Sequence, residues 1–168
     1  MNKTKLIFLS ILMLAAALRF YKLGEIPPGL DWDENSNAYN AYSILKTGRD
    51  EYGKFLPLSN RSFDDHKPPM YMYLEVPAIA IFGLTPFASR LPAALFGTLT
   101  VAVIHFLASR LFRNEKIGLI SMLFLAISPW HIQFSRAGFE GGIGLFFSTA
   151  AVTSLIFAIQ NLSKKWLL

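Results

Sequence analysis

Three carboxylates crowd the start of one predicted helix. Asp31, Asp33 and Glu34 lie within four residues, apolar side chains recur at helical spacing over residues 38–45, and Gly48 ends the pattern. A carboxylate at this position caps a helix by accepting hydrogen bonds from free backbone N–H groups, and spacing alone favours that role for Asp33. One cap does not need three carboxylates. The cluster could therefore bind a divalent cation, through Asp31 and Asp33, or hold a reactive carboxylate.

A cation, Lys67, comes directly before two prolines. Prolines suit the first turn of a helix, and a helix N-terminus favours anions. Lys67 could therefore bind a phosphate, or it could anchor a helix at a membrane surface.

A second cation, Arg136, precedes a glycine-rich stretch over residues 138–142. An arginine beside such a helix start is typical of a phosphate site, although it could also contact lipid headgroups near Trp130. His105 lies within an apolar run, where we expect it to be packed and hydrogen-bonded.

The composition indicates which kind of protein carries these residues. Charged residues make up only 16% of the 168, hydrophobic residues 53%, and the net charge is +5. Soluble domains carry about 25% charged residues. The composition argues against a disordered chain, a basic nucleic-acid-binding module and an ordinary globular enzyme. The absence of cysteine excludes disulfides and thiolate metal sites.

Long runs without charge predict an all-α integral membrane protein, because about 20 apolar residues suffice to span a bilayer. The predicted spans are about 6–21, 91–112, 117–131 and 141–160, and they leave a first outer loop of about 22–90. The first run could instead be a cleaved signal peptide, but further spans follow it and favour a retained anchor.

The distribution of basic residues predicts the orientation, because cytoplasmic loops carry an excess of Lys and Arg. If the stretch 67–84 lies on the membrane surface, seven basic residues and one acid fall on the inner face. The N-terminus is then cytoplasmic, and the first loop, with nine of the eleven acids, is extracytoplasmic. We therefore expect a cell-membrane protein with about four transmembrane helices and two amphipathic surface helices in that loop.

Four stretches in this order resemble the N-terminal part of polytopic GT-C glycosyltransferases. The pattern is closest to dolichyl-phosphate-mannose–protein mannosyltransferases and bacterial lipid A aminoarabinose transferases. The matching stretches are DWDENSNAYNAYSI, HKPPMYMYL, ASRLPAALFGTLTV and SPWHIQFSRAGFEGG.

The resemblance implies transfer of a sugar from a polyprenyl-phosphate-linked donor to an acceptor on the non-cytoplasmic face. The acidic residue of the family matches Asp33, followed by Glu34 as a substrate-binding residue, and the family's Lys-Pro-Pro lysine matches Lys67. Arg136 is the nearest counterpart of an outer-loop arginine. Ser36 departs from the pattern, because some relatives carry a basic residue there.

Members of this family are far longer than 168 residues, so the resemblance implies the N-terminal part of a larger enzyme that acts with its C-terminal part. Two other classes stay open on the residues alone. One is a non-catalytic membrane scaffold subunit, in which the acids only cap and solvate the loop. The other is a transporter fragment, with Glu75 and His105 along its pathway.

Overall fold

The computed structural model describes residues 3–161, which form seven helices and one short β-hairpin. The elements in chain order are α1 (Lys3–Phe20), α2 (Trp32–Thr47), β1 (Asn60–Ser62), β2 (Asp65–Lys67), α3 (Met70–Phe82), α4 (Pro86–Phe112), α5 (Glu115–Ile127), α6 (Pro129–Phe134) and α7 (Glu140–Asn161). The predicted helical fold class is confirmed, with the hairpin as an addition. Lys164 and Lys165, which belong to the predicted basic inner face, lie outside the described residues.

Two of the described helices, α4 and α7, are long and apolar enough to cross a membrane. Helix α1 has 18 residues and begins with Lys3 and Lys5, and α5 has only 13. The expected span 117–131 is divided at Ser128, whose side chain caps α6 by accepting a hydrogen bond from the His131 backbone N–H at 3.5 Å. The count of four spans therefore stays a prediction.

Helix α4 is the central element, and it contacts α1, α3, α5 and α7. Its first turn is well capped, because the Thr85 side chain accepts a hydrogen bond from the Ala88 N–H at 3.2 Å and Pro86 needs no partner for its nitrogen. Large apolar side chains such as Leu95, Phe124 and Leu155 stay exposed on the outside of this bundle. Exposed apolar surface of this extent is typical of helices that face lipid.

Helices α2 and α3 pack on each other and on the first turns of α4. Ala38, Ala41, Met72 and Ile79 form their buried contact, which extends to Ala88 of α4. Helices α2 and α3 fall within the stretch where the two loop helices were expected, and they lie at the end of the bundle where α4 begins. Their place on a membrane surface stays a prediction.

The hairpin was not predicted, and it changes the setting of Lys67. Lys67 ends β2, opposite Asn60 of β1, and helix α3 begins only at Met70, after the two prolines. Lys67 is therefore held by a strand and not by the first turn of a helix.

A glycine allows α4 and α5 to approach closely. A Cβ atom added at Gly118 would lie 1.8 Å from Ser109 Oγ and 2.7 Å from the backbone oxygen of His105. A serine side chain can rotate away, but a helix backbone cannot, so this contact requires glycine.

We therefore expect Gly118→Ala to destabilise the protein by about 1–3 kcal/mol, the usual cost of overpacking. The measurement is thermal unfolding in detergent. Gly144→Ala on α7 is the matched control, because nothing lies within 4 Å of its added Cβ. Unchanged stability of Gly118→Ala would contradict the close α4–α5 contact.

Candidate active site

An ion pair joins Asp33 to Lys67 at the start of α2. The Lys67 ammonium contacts Asp33 Oδ1, and the side chain of Lys67 is buried while that of Asp33 is 41% exposed. Burial of the lysine stem fixes the position of its charge. The open side of the Asp33 carboxylate faces outward, where a second molecule can reach it.

A separate chain of hydrogen-bonded polar side chains begins in the hairpin beside this pair. Asn60, opposite Lys67 in the hairpin, donates from Nδ2 to Asn37 Oδ1 at 2.8 Å. Asn37 donates in turn from Nδ2 to Glu140 Oε1 at 3.0 Å. The network connects α2 and the hairpin to the first residue of α7.

The sequence reasoning missed three members of this network. Asn37 is one helical turn after Asp33, so helical spacing could have placed it on the same face. No local signal indicated Asn60 or Glu140, because their partners lie 23 and 103 residues away.

A cavity of about 400 Å³ opens beside Glu140, between the start of α3 and the start of α7. Tyr71, Ile143 and Phe147 supply much of its apolar lining, and Pro68 brings its wall next to Lys67. The candidate site thus combines charged groups and an apolar surface, as small-molecule sites usually do.

Glu34, next to Asp33 in sequence, is fully buried and paired with Arg90 of α4. Arg90 donates from Nε to Oε1 at 2.8 Å and from Nη2 to Oε2 at 3.2 Å. The backbone N–H groups of Asp31 and Gly138 donate to the same carboxylate at 3.0 and 2.9 Å. Burial alone would raise the pKa of Glu34, but these hydrogen bonds and the charge of Arg90 lower it below its ordinary value.

Gly138 lets the segment after α6 reach Glu34. A Cβ atom at this position would lie 3.1 Å from the Tyr71 hydroxyl and 3.2 Å from Glu34 Cγ. These distances are tight for any side chain, so a glycine here brings its N–H group directly to the buried carboxylate.

Arg136 is 7% exposed and holds the end of α1. Its Nη1 donates to the carbonyl oxygens of Leu18 and Arg19, and its Nη2 donates to those of Tyr21 and Ile26, at 2.7–3.2 Å. Burial and the nearby charge of Arg90 lower the pKa of Arg136. Both terminal nitrogens are occupied by backbone, so the geometry favours a structural role, and phosphate binding by Arg136 stays a prediction.

Arg19, in the last turn of α1, is a second buried arginine at this end of the helix. It is fully buried and donates to the carbonyl of Ala126 at 3.2 Å, and its Nη2 lies 2.7 Å from His131 Nδ1. The guanidinium thus binds the end of α5.

Asp31 is the N-terminal cap residue of α2, and its backbone N–H donates to Glu34 at 3.0 Å. Among residues 3–161, no three His, Asp or Glu side chains are grouped closely enough to hold a metal ion. Cation binding by Asp31 and Asp33 therefore stays a prediction without further support.

Glu75 and His105 lie apart from each other. Glu75 is buried in α3, accepts a hydrogen bond from Ser89 Oγ at 2.7 Å, and has a pKa that burial raises well above its ordinary value. His105 Nε2 lies 3.3 Å from Glu115 Oε2 at the opposite end of α4. Each has a local partner within the bundle.

Comparison with known proteins identifies the class of this fold and site. The family model described as dolichyl-phosphate-mannose-protein mannosyltransferase matches residues 66–168. The chain belongs to this family, as the resemblance predicted. The matched region includes Lys67 and Arg136 but begins after Asp33.

Two relatives are each 32% identical to this chain over the aligned residues. An uncharacterized protein of Aquifex aeolicus is 32% identical over 135 residues, which are 80% of this chain and 30% of the relative. The polyprenol-phosphate-mannose–protein mannosyltransferase of Corynebacterium glutamicum is 32% identical over 98 residues, which are 58% of this chain and 19% of the relative. The chain thus spans less than a third of either relative. No solved structure matches it.

The buried Glu34–Arg90 pair makes stability depend on pH. Because the folded pKa of Glu34 is depressed, its stabilising contribution is present above its ordinary value of 4.5 and is lost as the pH falls through the folded pKa. We expect Glu34→Gln to cost about 3–5 kcal/mol at pH 7, since Arg90 loses its charged partner, and to weaken the pH dependence below 4.5.

Thermal unfolding in detergent between pH 7 and pH 3 measures both effects. Glu25→Gln is the matched control, because Glu25 forms an exposed pair with Lys22 and should leave the unfolding temperature unchanged. Equal pH profiles for wild type and Glu34→Gln would contradict the assignment.

Proposed function

We propose that this chain is the N-terminal part of an enzyme that transfers a sugar from a polyprenyl-phosphate-linked donor to an acceptor on the non-cytoplasmic face of the cell membrane. The observation that carries the proposal is the pairing of a half-exposed carboxylate, Asp33, with a buried lysine, Lys67, next to an apolar cavity. Family membership supports the donor class, and the Corynebacterium relative is named for the same chemistry.

Asp33 is the proposed catalytic residue. The acceptor hydroxyl attacks the anomeric carbon, the new C–O bond forms as the bond to the phosphate oxygen breaks, and Asp33 takes the hydroxyl proton. Its exposure lets a substrate reach it, and its position in the first turn of α2 is supported by the buried residue that follows it.

Lys67 is the proposed ligand of the donor phosphate. The leaving group is a phosphate that needs no proton, so a nearby cation suffices to stabilise the charge that grows as the bond breaks. The ammonium contacts Asp33 in the free protein, and a donor phosphate would share it. Asp33 and the leaving group would then lie on either side of one cation.

Glu34 and Arg136 are proposed to hold the elements around this site in position. We assign Glu34 a positioning role, because its carboxylate is fully used by Arg90 and backbone N–H groups. Arg136 holds α1 against the segment after α6 in the same way. Glu140 is an additional substrate-facing candidate, since it lines the cavity and joins the Asn37 network.

The proposed topology has four spans, α1, α4, α5 with α6, and α7, and a first outer loop of about 22–90. Contacts between these helices and their connections occur at two levels along α4, one near Arg90 and one near Arg110. At one level Arg19 contacts Ala126, and Glu34 contacts Arg90. At the other level, Gln160 Nε2 donates to the carbonyl of Arg110 at 3.0 Å.

Arg90 and Arg110 are twenty residues apart on α4, which is about 30 Å of helix and matches the hydrocarbon thickness of a bilayer. Helices α2 and α3 pack on the Arg90 half of α4, through Ala88, Ala93 and Phe96, and this supports their place along the outer membrane surface. The basic residues at the end of α4, in the α4–α5 connection and at the start of α5 would then face the cytoplasm.

We expect Asp33→Asn in the enzyme to lower kcat by about 10²–10⁴-fold, because the amide cannot accept the proton. Transfer of radiolabelled sugar from polyprenyl-phosphate mannose measures this. Asp64→Asn is the matched control, since Asp64 lies in the same loop with its side chain 92% exposed. Wild-type turnover of Asp33→Asn, with Lys67 intact, would refute the catalytic assignment.

The orientation can be tested by cysteine labelling, because these 168 residues contain no cysteine. We expect Leu58→Cys, at a residue 87% exposed, to react with a membrane-impermeant maleimide in intact spheroplasts. Lys116→Cys, at an exposed residue in the first turn of α5, should react only after permeabilisation. Labelling of Lys116→Cys in intact spheroplasts would contradict the proposed topology.

A further inference from the structure

Two arginines at the end of α4 differ from the other arginines in what they contact. The guanidinium groups of five arginines donate hydrogen bonds within the protein: Arg19, Arg49, Arg61, Arg90 and Arg136. Among residues 3–161, the guanidinium groups of Arg110 and Arg113 have neither a hydrogen-bond partner nor an ion-pair partner. Both side chains are exposed, and both line the same cavity.

This cavity is open, has a volume of about 550 Å³, and lies where α4, α5 and α7 meet. Its lining is mostly polar, with Asn114 and Gln160 beside the two arginines. Gln160 also closes one side, because its Nε2 donates to the Arg110 carbonyl at 3.0 Å. Glu115 is the one acid in the lining, and its Oε2 lies 3.3 Å from Nε2 of His105. Two cations against one acid make the cavity suitable for an anion.

The setting of each arginine leaves its N–H groups available. Arg110 Cζ lies 4.2 Å from the centroid of the Phe157 ring, so the ring covers one face of the guanidinium and leaves its edge free for an acceptor. Arg113 ends α4 with left-handed backbone, at a φ of 51°. Glycine or asparagine usually occupies this position, so the backbone does not explain an arginine there.

An apolar groove of about 430 Å³ reaches the same place from the middle of the bundle, between α4 and α7. Phe106 and Phe157 lie at its lower end, one helical turn before Arg110 and Gln160 respectively. Phe157 belongs to both features, since it lines the groove and packs on Arg110. The polar cavity and the apolar groove are therefore adjacent along the two helices.

We propose that the cavity and the groove form one binding site for an anionic phospholipid. Its phosphate would lie between Arg110 and Arg113, and an acyl chain would follow the α4–α7 groove. Basic pockets between transmembrane helices on the cytoplasmic side suit anionic headgroups. The arginines also favour the negative end of the α4 dipole, but that role requires neither a shared cavity nor a groove.

The site is separate from the proposed catalytic site. Arg110 lies about 30 Å along α4 from Arg90, at the opposite end from Asp33 and Lys67. The binding of a phospholipid here does not depend on sugar transfer. Its assignment to the inner leaflet rests on the topology in the proposed function, whereas binding itself does not.

The test is native mass spectrometry of the full-length enzyme in detergent, titrated with dioleoyl-phosphatidylglycerol and, for comparison, with dioleoyl-phosphatidylcholine. We expect the enzyme to prefer the anionic lipid. Arg110→Gln and Arg113→Gln should each weaken its binding about fivefold, as loss of one basic residue beside an anionic headgroup does.

Lys116→Gln is the matched control, because it removes the same charge in the first turn of α5 from a residue that does not line the cavity. It should bind phosphatidylglycerol like wild type. Equal affinity for the two lipids would overturn the proposal, and so would an equal loss of binding in Lys116→Gln.

A further variant separates binding from folding. Arg113→Gly suits the left-handed backbone, so the unfolding temperature without lipid should be unchanged or higher, while phosphatidylglycerol binding falls as in Arg113→Gln. A lower unfolding temperature in both Arg113 variants, with lipid binding unchanged, would show that the arginine only ends the helix and would overturn the proposal.

The groove is tested by filling it. Ser154→Trp should weaken phosphatidylglycerol binding, whereas Leu155→Trp, at the next and exposed residue outside the groove, should not. If inorganic phosphate displaces the lipid and Ser154→Trp has no effect, the cavity binds a soluble anion and the phospholipid assignment is wrong.

Failure of this inference and failure of the proposed function give different results. Asp33→Asn should lose sugar transfer and keep phosphatidylglycerol binding. Labelling of Lys116→Cys in intact spheroplasts would overturn the inner-leaflet assignment, whereas loss of the preference for phosphatidylglycerol would overturn the site itself.

Discussion

The buried ion pair between Glu34 and Arg90 is the constraint on which the end of the structure that contains α2 and α3 depends. A buried charge pair is tolerated only when its remaining hydrogen-bonding capacity is satisfied. Here the Asp31 and Gly138 N–H groups complete the carboxylate, and carbonyl oxygens of Leu23 and Pro27 accept from Arg90. The start of α2, the start of α4, the loop after α1 and the segment before α7 are therefore held at one point.

This ion pair gives the two neighbouring acids, Asp33 and Glu34, different environments. Successive residues of a helix point about 100° apart, so when Glu34 faces the bundle, Asp33 turns toward the hairpin. Asp33 meets Lys67 there and stays half-exposed, while Glu34 is sealed from solvent. The carboxylate proposed as catalytic is thus positioned by the buried residue next to it and stays exposed itself.

The basic residues also fall into two groups, according to the groups that they contact. Arg19, Arg90 and Arg136 each direct several N–H groups to backbone carbonyls, which the forked guanidinium suits. Lys67 instead presents one compact charge to a single side chain, Asp33. Lys67 is therefore the cation whose setting best suits the phosphate-binding role proposed above.

The sequence by itself determined the helical class and indicated Asp33 and Lys67 as candidates, because these follow from local spacing, caps and charge. It did not reveal the hairpin, the burial of Glu34, the polar network to Glu140 or the break at Ser128. The roles of Glu34 and Arg136 depend on partners 56 and 118 residues away, and local periodicity carries no information about such partners. Only the tertiary structure decided which charged side chains are buried in contacts between helices and which stay exposed.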